Sequence, residues 1–185
     1  MKKIKSARRR FLDKINLRIK SIVKHTGIDI DDLLKRVDDI DHVYVTSANR
    51  INVDAADWNS DIEAVLERRF KTYSQLNANA SKQVDKKLET FVGPMRPNER
   101  SIMINKEIKA KFEFDAEMEE FFGKYYEGIE DTLPYKATTT IQYQLLLQEL
   151  TDLGLLWETG VGSYTDAMDT YERVKKLIDE LRSMK

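Results

Sequence analysis

The chain has no cysteine, and among its 185 residues only seven are glycine, three proline and two histidine. Without thiols there is no disulfide framework and no thiolate metal site. Scarce glycine and proline leave little material for turns, so long regular elements are expected. Neither His25 nor His42 stands in a Glu-x-x-His or His-Glu-x-x-His arrangement, which removes the usual histidine metal sites. The group Asp29, Asp31, Asp32 lacks the glycine and terminal glutamate of a calcium loop. It reads instead as a helix start, where negative charge suits the backbone dipole. No Gly-x-Ser-x-Gly elbow and no phosphate-binding glycine loop occurs, and Gly160-Val161-Gly162 reads as a plain loop between helices. No catalytic set, metal or cofactor is therefore expected. No run of eighteen apolar residues offers a transmembrane helix. The opening residues MKKIKSARRRFLDK have no apolar core behind their charges, unlike a secretory signal. A cytoplasmic or virion-associated protein is expected.

Charge is what the sequence has in abundance. Charged residues make up 34% of the chain, and the net charge of −1 conceals their segregation. Residues 1–25 hold Lys2, Lys3, Lys5, Arg8, Arg9, Arg10, Lys14, Arg18, Lys20 and Lys24 against the single acid Asp13. Residues 115–131 are the opposite pole, with Asp115, Glu117, Glu119, Glu120, Glu127, Glu130 and Asp131 against Lys124.

Periodicity gives a mainly α fold, an irregular helical bundle with a small β-hairpin or strand pair. Phe11, Leu12, Ile15, Ile19, Ile22 and Val23 recur at helical steps over about 6–25, and Gly27 is placed to stop that helix. Asp29 or Asp31 caps a short second helix carrying Ile30, Leu33, Leu34, Val37 and Ile40 inward. The β-branched run His42–Thr46 reads as a short strand. From Trp58 through Ile62, Leu66, Phe70, Tyr73 and Leu76 to Val84 and Phe91 the spacing is helical. This gives one long helix over 57–92, kinked or divided at Asn77–Ser81, where poor helix formers gather. Gly93-Pro94 and Pro97 end it. Ile102-Met103-Ile104 and Ile108–Phe114 alternate with period two and read as a strand pair at 101–114. Asp115 then caps an acidic, aromatic helix. A helix over 137–153 buries Ile141, Leu145, Leu146 and Leu150 and stops at Gly154, and a last helix begins at Ser163 with Asp166 completing a capping start. The expected divisions are 1–26, a basic N-terminal arm or helix; 27–92, a helical segment; and 93–185, a β element with a three-helix lobe sharing the core of 27–92.

Three functions follow from these features. The favoured one is a non-enzymatic assembly or protein-interaction protein, forming homo- or hetero-oligomers through oppositely charged parts of each copy. A phage connector or neck subunit is the kind of virion component that fits. Its contacts are expected at Lys2, Lys3, Lys5, Arg8, Arg9, Arg10, Lys14 and Arg18, and at the acidic, aromatic face of Glu119, Glu120, Phe122 and Tyr126. The doublets Phe121-Phe122 and Tyr125-Tyr126 span more than one narrow stripe of a helix, so a face beyond the chain's own core is expected to be covered by another element or subunit. The alternative is a nucleic-acid-binding accessory protein that contacts phosphates through residues 1–25. Sequence-specific reading is not expected, because 137–153 has no Lys or Arg to serve a recognition helix. The third starts from Arg18…His25 and Arg36…His42, whose spacing resembles the Arg-to-His motif of the HEPN superfamily of helical ribonucleases. That resemblance implies ribonuclease chemistry with these four side chains converging. It covers fewer than ten residues at each place, and Ile19 and Val37 stand where the family carries a polar residue.

Overall fold

The computed structural model describes residues 6–34, 42–122 and 128–184. Lys2, Lys3, Lys5, Arg36, Val37, Ile40, Tyr125 and Tyr126 lie outside the described residues. The chain is mainly α with one small antiparallel strand pair among the described residues, and its contacts divide it into two compact units, residues 1–109 and 110–185.

In the first unit, α1 (Ala7–Thr26) begins where the Ser6 hydroxyl accepts the Arg9 N–H. It ends at Gly27, whose φ of +72° lets its N–H close back on the Val23 carbonyl. Leu12, Ile15, Ile19 and Ile22 form one fully buried stripe. α2 (Ile30–Leu34) follows, then β1 (Tyr44–Val45) and β2 (Ile51–Asn52), paired as Tyr44 with Asn52 and Val45 with Ile51. The strand pair is therefore near the run His42–Thr46, and the strands expected at 101–114 do not exist.

Of the two expectations for 57–92, a kinked helix or two helices, the second holds: α3 (Ser60–Arg69) and α4 (Tyr73–Leu88). Their break lies at Phe70–Thr72, and Asn77–Ser81 is inside α4. The cause is a capping box: Thr72 Oγ1 accepts the Gln75 N–H at 3.2 Å while Gln75 Oε1 accepts the Thr72 N–H at 3.1 Å. Apolar spacing runs straight through the break because Phe70 is itself fully buried.

The region expected as strands is α5 (Glu99–Glu120), which also swallows the helix start assigned to Asp115. Phe112 and Phe114 are both buried, and two positions apart on a helix they point about 200° from each other. A helix covered on opposite sides shows no single apolar stripe, and here it imitated strand alternation.

In the second unit, Phe114 and Met118 of α5, and Phe121 just beyond it, pack with Leu146, Leu150 and Leu153 of α7 (Ile141–Thr159) and with Tyr171, Val174, Ile178 and Leu181 of α8 (Tyr164–Arg182). α6 (Ile129–Thr132) and a 3-10 turn at Ala137–Thr139 lead into α7. Thr140 caps α7 by accepting the Tyr143 N–H at 3.2 Å. Gly154 does not stop α7: the helix runs to Thr159 and ends at Gly160, with φ +64°. Ser163 then caps α8 by accepting the Asp166 N–H, as expected. No helix among the described residues is long and apolar enough to cross a membrane.

Candidate interaction surfaces

The basic face of α1 divides into residues that hold the fold and residues that face water. Arg18 is the most committed, its side chain only 12% exposed. Its guanidinium reaches Glu67 Oε1 at 3.0 Å and donates to the Phe70 carbonyl at 3.0 Å, closing the end of α3. Lys14 meets the other Glu67 oxygen at 3.4 Å. Burial pushes the Glu67 carboxyl upward, but the bond and charge of Arg18, with Lys14, outweigh it and hold the group below its ordinary range. Arg8 donates to the Val53 carbonyl, and Asp13 is paired with Arg50 at 2.8 Å. Asn16 behaves like a length of strand: its amide donates to the Ile51 carbonyl at 3.0 Å and accepts the Ile51 N–H at 2.8 Å, with a further bond to the Leu12 carbonyl. Arg9, Arg10, Lys20 and Lys24 remain exposed and form no ion pair among the described residues. Of the eight basic residues singled out from sequence, Arg8, Lys14 and Arg18 thus have internal partners, while Arg9 and Arg10 face solvent. Lys20 and Lys24 join the solvent-facing set.

Arg18 and His25 lie seven residues apart on α1, which puts them on one side of it but about 10 Å apart along the axis. They serve different partners. His25 Nδ1 is 2.8 Å from the Ser21 carbonyl, and its ring stacks on Tyr73 at 3.9 Å. The Tyr73 hydroxyl in turn donates to Asn105 at 3.0 Å. His42 lies 3.7 Å from Asp57, and Arg36 is outside the described residues. The structure does not gather Arg18, His25 and His42 around one acceptor. No group of three or more potential metal-ligating side chains occurs among the described residues.

At the end of α5, Glu119 and Glu120 are partly exposed. Phe122 stacks on Trp157 of α7, with centroids 5.7 Å apart and planes within 9°, and meets Phe121 edge-on. Its cover therefore comes from the same chain. Tyr126 is outside the described residues.

The most unusual surface is one that sequence reading assigned to the core. Ile141 and Leu145 are 85% and 48% exposed, and Leu155 is 55% exposed. With Gln148 and Asp152 they follow steps of four and three residues, a single stripe along α7. Gln148 donates to Asp152 at 3.1 Å within that stripe. Between Lys136 and Arg173 the chain has no basic residue, so the charges of α7 itself are acids alone: Asp152 within the stripe, Glu158, and Glu149, which is turned toward Arg173 of α8 at 3.5 Å. The buried side of α7 is instead Leu146, Leu150 and Leu153. Periodicity missed this because Leu145-Leu146-Leu147 and Leu155-Leu156-Trp157 place apolar side chains all round the helix. The signal that does mark it is the absence of Lys and Arg over 137–172. No protein family, curated protein or solved structure matches this chain.

Proposed function

We propose that this chain is a non-enzymatic assembly protein that joins protein subunits through exposed helix faces. The α7 stripe of Ile141, Leu145 and Leu155 carries the reading, because a helix with three large apolar side chains lined up in water gains by being covered. The separate engagements of Arg18, His25 and His42 weigh against the HEPN-type ribonuclease reading, which requires them to converge. Size-exclusion chromatography with light scattering, read at two ultraviolet wavelengths, tests it. A defined oligomer free of nucleic acid is expected, and a monomer at every concentration overturns the reading.

A second reading, a nucleic-acid accessory protein, is favoured by Arg9, Arg10, Lys20 and Lys24, all exposed on α1. It requires a monomer that elutes with nucleic acid and loses it in high salt.

A further inference from the structure

We infer that the α7 stripe is the seat for α1 of a second copy of this chain. The inference rests on the assembly reading above and names its subunit contact.

The shape and charge of the seat define its occupant. Ile141, Leu145, Gln148, Asp152 and Leu155 alternate steps of four and three, the spacing by which two helices mesh along a seam. The seam rises about 21 Å over its fourteen steps. The charges α7 itself contributes are all acidic, and they gather toward its C-terminal half, where the backbone dipole is also negative. The ends of the seat are apolar (Ile141 and Leu145 at one, Leu155 at the other) and its middle is polar and acidic (Gln148, Asp152), so its occupant is a basic helix whose long aliphatic stems cover the ends.

α1 carries such a face. Arg10, Lys14, Leu17, Ser21 and Lys24 follow the same four-three-four-three spacing over the same length. Leu17, at its centre, is 69% exposed although it lies on the helix that fills the core of the first unit. Among the described helices, large exposed apolar residues otherwise occur on α5 and α7. The α5 one, Ile102, shares its line with Glu99, Lys106, Lys109 and Glu113, so its face is of mixed sign.

Dipoles and charges together set the direction. Laid antiparallel, the positive start of α1 meets the negative end of α7. Lys14 then stands opposite Asp152 and Leu17 opposite Gln148, while the aliphatic stems of Arg10 and Lys24 cover Leu155 and Ile141. Lys14, its side chain 53% exposed, exchanges its 3.4 Å contact with Glu67 for Asp152, and Glu67 keeps Arg18 at 3.0 Å. A seam with this many polar positions is weak and salt-sensitive, so association at micromolar concentration is expected.

Sedimentation velocity of the full chain over a wide concentration range tests the pairing, with Leu145→Asp and Leu17→Asp as variants. Both residues are exposed, so each variant keeps the wild-type thermal transition. The wild type self-associates, and each variant weakens association at least about tenfold, a cost near 1.4 kcal/mol. Mixing the two variants restores a complex, because one supplies an intact α7 and the other an intact α1. If the variants associate like wild type, or stay monomeric when mixed, the α1–α7 pairing is overturned while the assembly reading stands. A wild-type chain that is monomeric throughout overturns both.

Discussion

Two glycines on one helix are expected to respond oppositely to the same added methyl group. Gly154 lies inside α7 with ordinary helical backbone, and an alanine methyl there would stand 4.0 Å from Phe122 Cζ, an ordinary van der Waals distance. Nothing is gained by the missing side chain, while the unfolded chain gains freedom from it. Gly154→Ala therefore stabilises by about 0.5–1 kcal/mol. Gly160 ends the helix at φ +64°, and its methyl would come within 3.1 Å of the Tyr164 hydroxyl. Gly160→Ala costs about 1–2 kcal/mol for the left-handed backbone alone. Thermal and urea unfolding of the two variants measure the contrast. At about 2–4 °C per kcal/mol, Gly154→Ala raises the transition by a few degrees and Gly160→Ala lowers it by somewhat more. If Gly154→Ala is destabilised, either α7 is not continuous through residue 154 or Phe122 lies closer than described. If Gly160→Ala melts above Gly154→Ala, the helix does not end in a left-handed turn. Neither substitution touches the exposed stripe, so self-association is expected to be unchanged in Gly154→Ala.

The remaining expectations concern the first unit. Asn16→Ala strands the Ile51 N–H, on a residue only 2% exposed, and is expected to cost about 1–3 kcal/mol in urea unfolding. Asn16→Asp keeps that acceptor but turns a carboxylate toward two carbonyls, so it does not rescue; wild-type stability in either variant would rule out the Asn16–strand pairing. Thr72→Ala removes the α4 cap at a cost of about 0.5–2 kcal/mol, with faster amide exchange at Gln75, and unchanged exchange there would contradict the capping box. Glu67 titrates below its ordinary value in the folded chain. Its contribution is present above the unfolded carboxylate value of about 4.3 and is lost as pH falls through the lower folded value. Glu67→Gln is therefore expected to flatten the decline in urea midpoint between about pH 5 and pH 3, and parallel curves for variant and wild type would refute it.

How far the fold could be read depended on whether local signals agreed. α1 was legible because the stop at Gly27 and a one-sided apolar stripe mark the same element, and the structure adds a cap at Ser6. The break between α3 and α4 was written in Thr72 and Gln75, but the apolar spacing through Phe70 spoke for continuity. In α5 the burial of opposite sides at Phe112 and Phe114 erased the stripe on which helix reading depends. Segregated charge was visible as composition, yet composition does not say which cations are used internally. Arg18 and Arg10 look alike in sequence and differ in that Glu67 and the Phe70 carbonyl lie beside only the first. The exposed side of α7 was hidden for the converse reason: leucines on every side leave the choice of inner face to the neighbours it packs against.

The four buried residues of α1 make it a keystone rather than an appendage. Deleting the first twenty-five residues, the natural way to ask what a basic terminus binds, would withdraw Leu12, Ile15, Ile19 and Ile22 from the first unit. It would also leave Glu67 without Arg18 and Ile51 without Asn16. Loss of binding in such a truncation would report collapse and say nothing about recognition. Single charge changes at Arg9, Arg10, Lys20 and Lys24 alter what the helix offers to a partner while leaving the arch it supports in place.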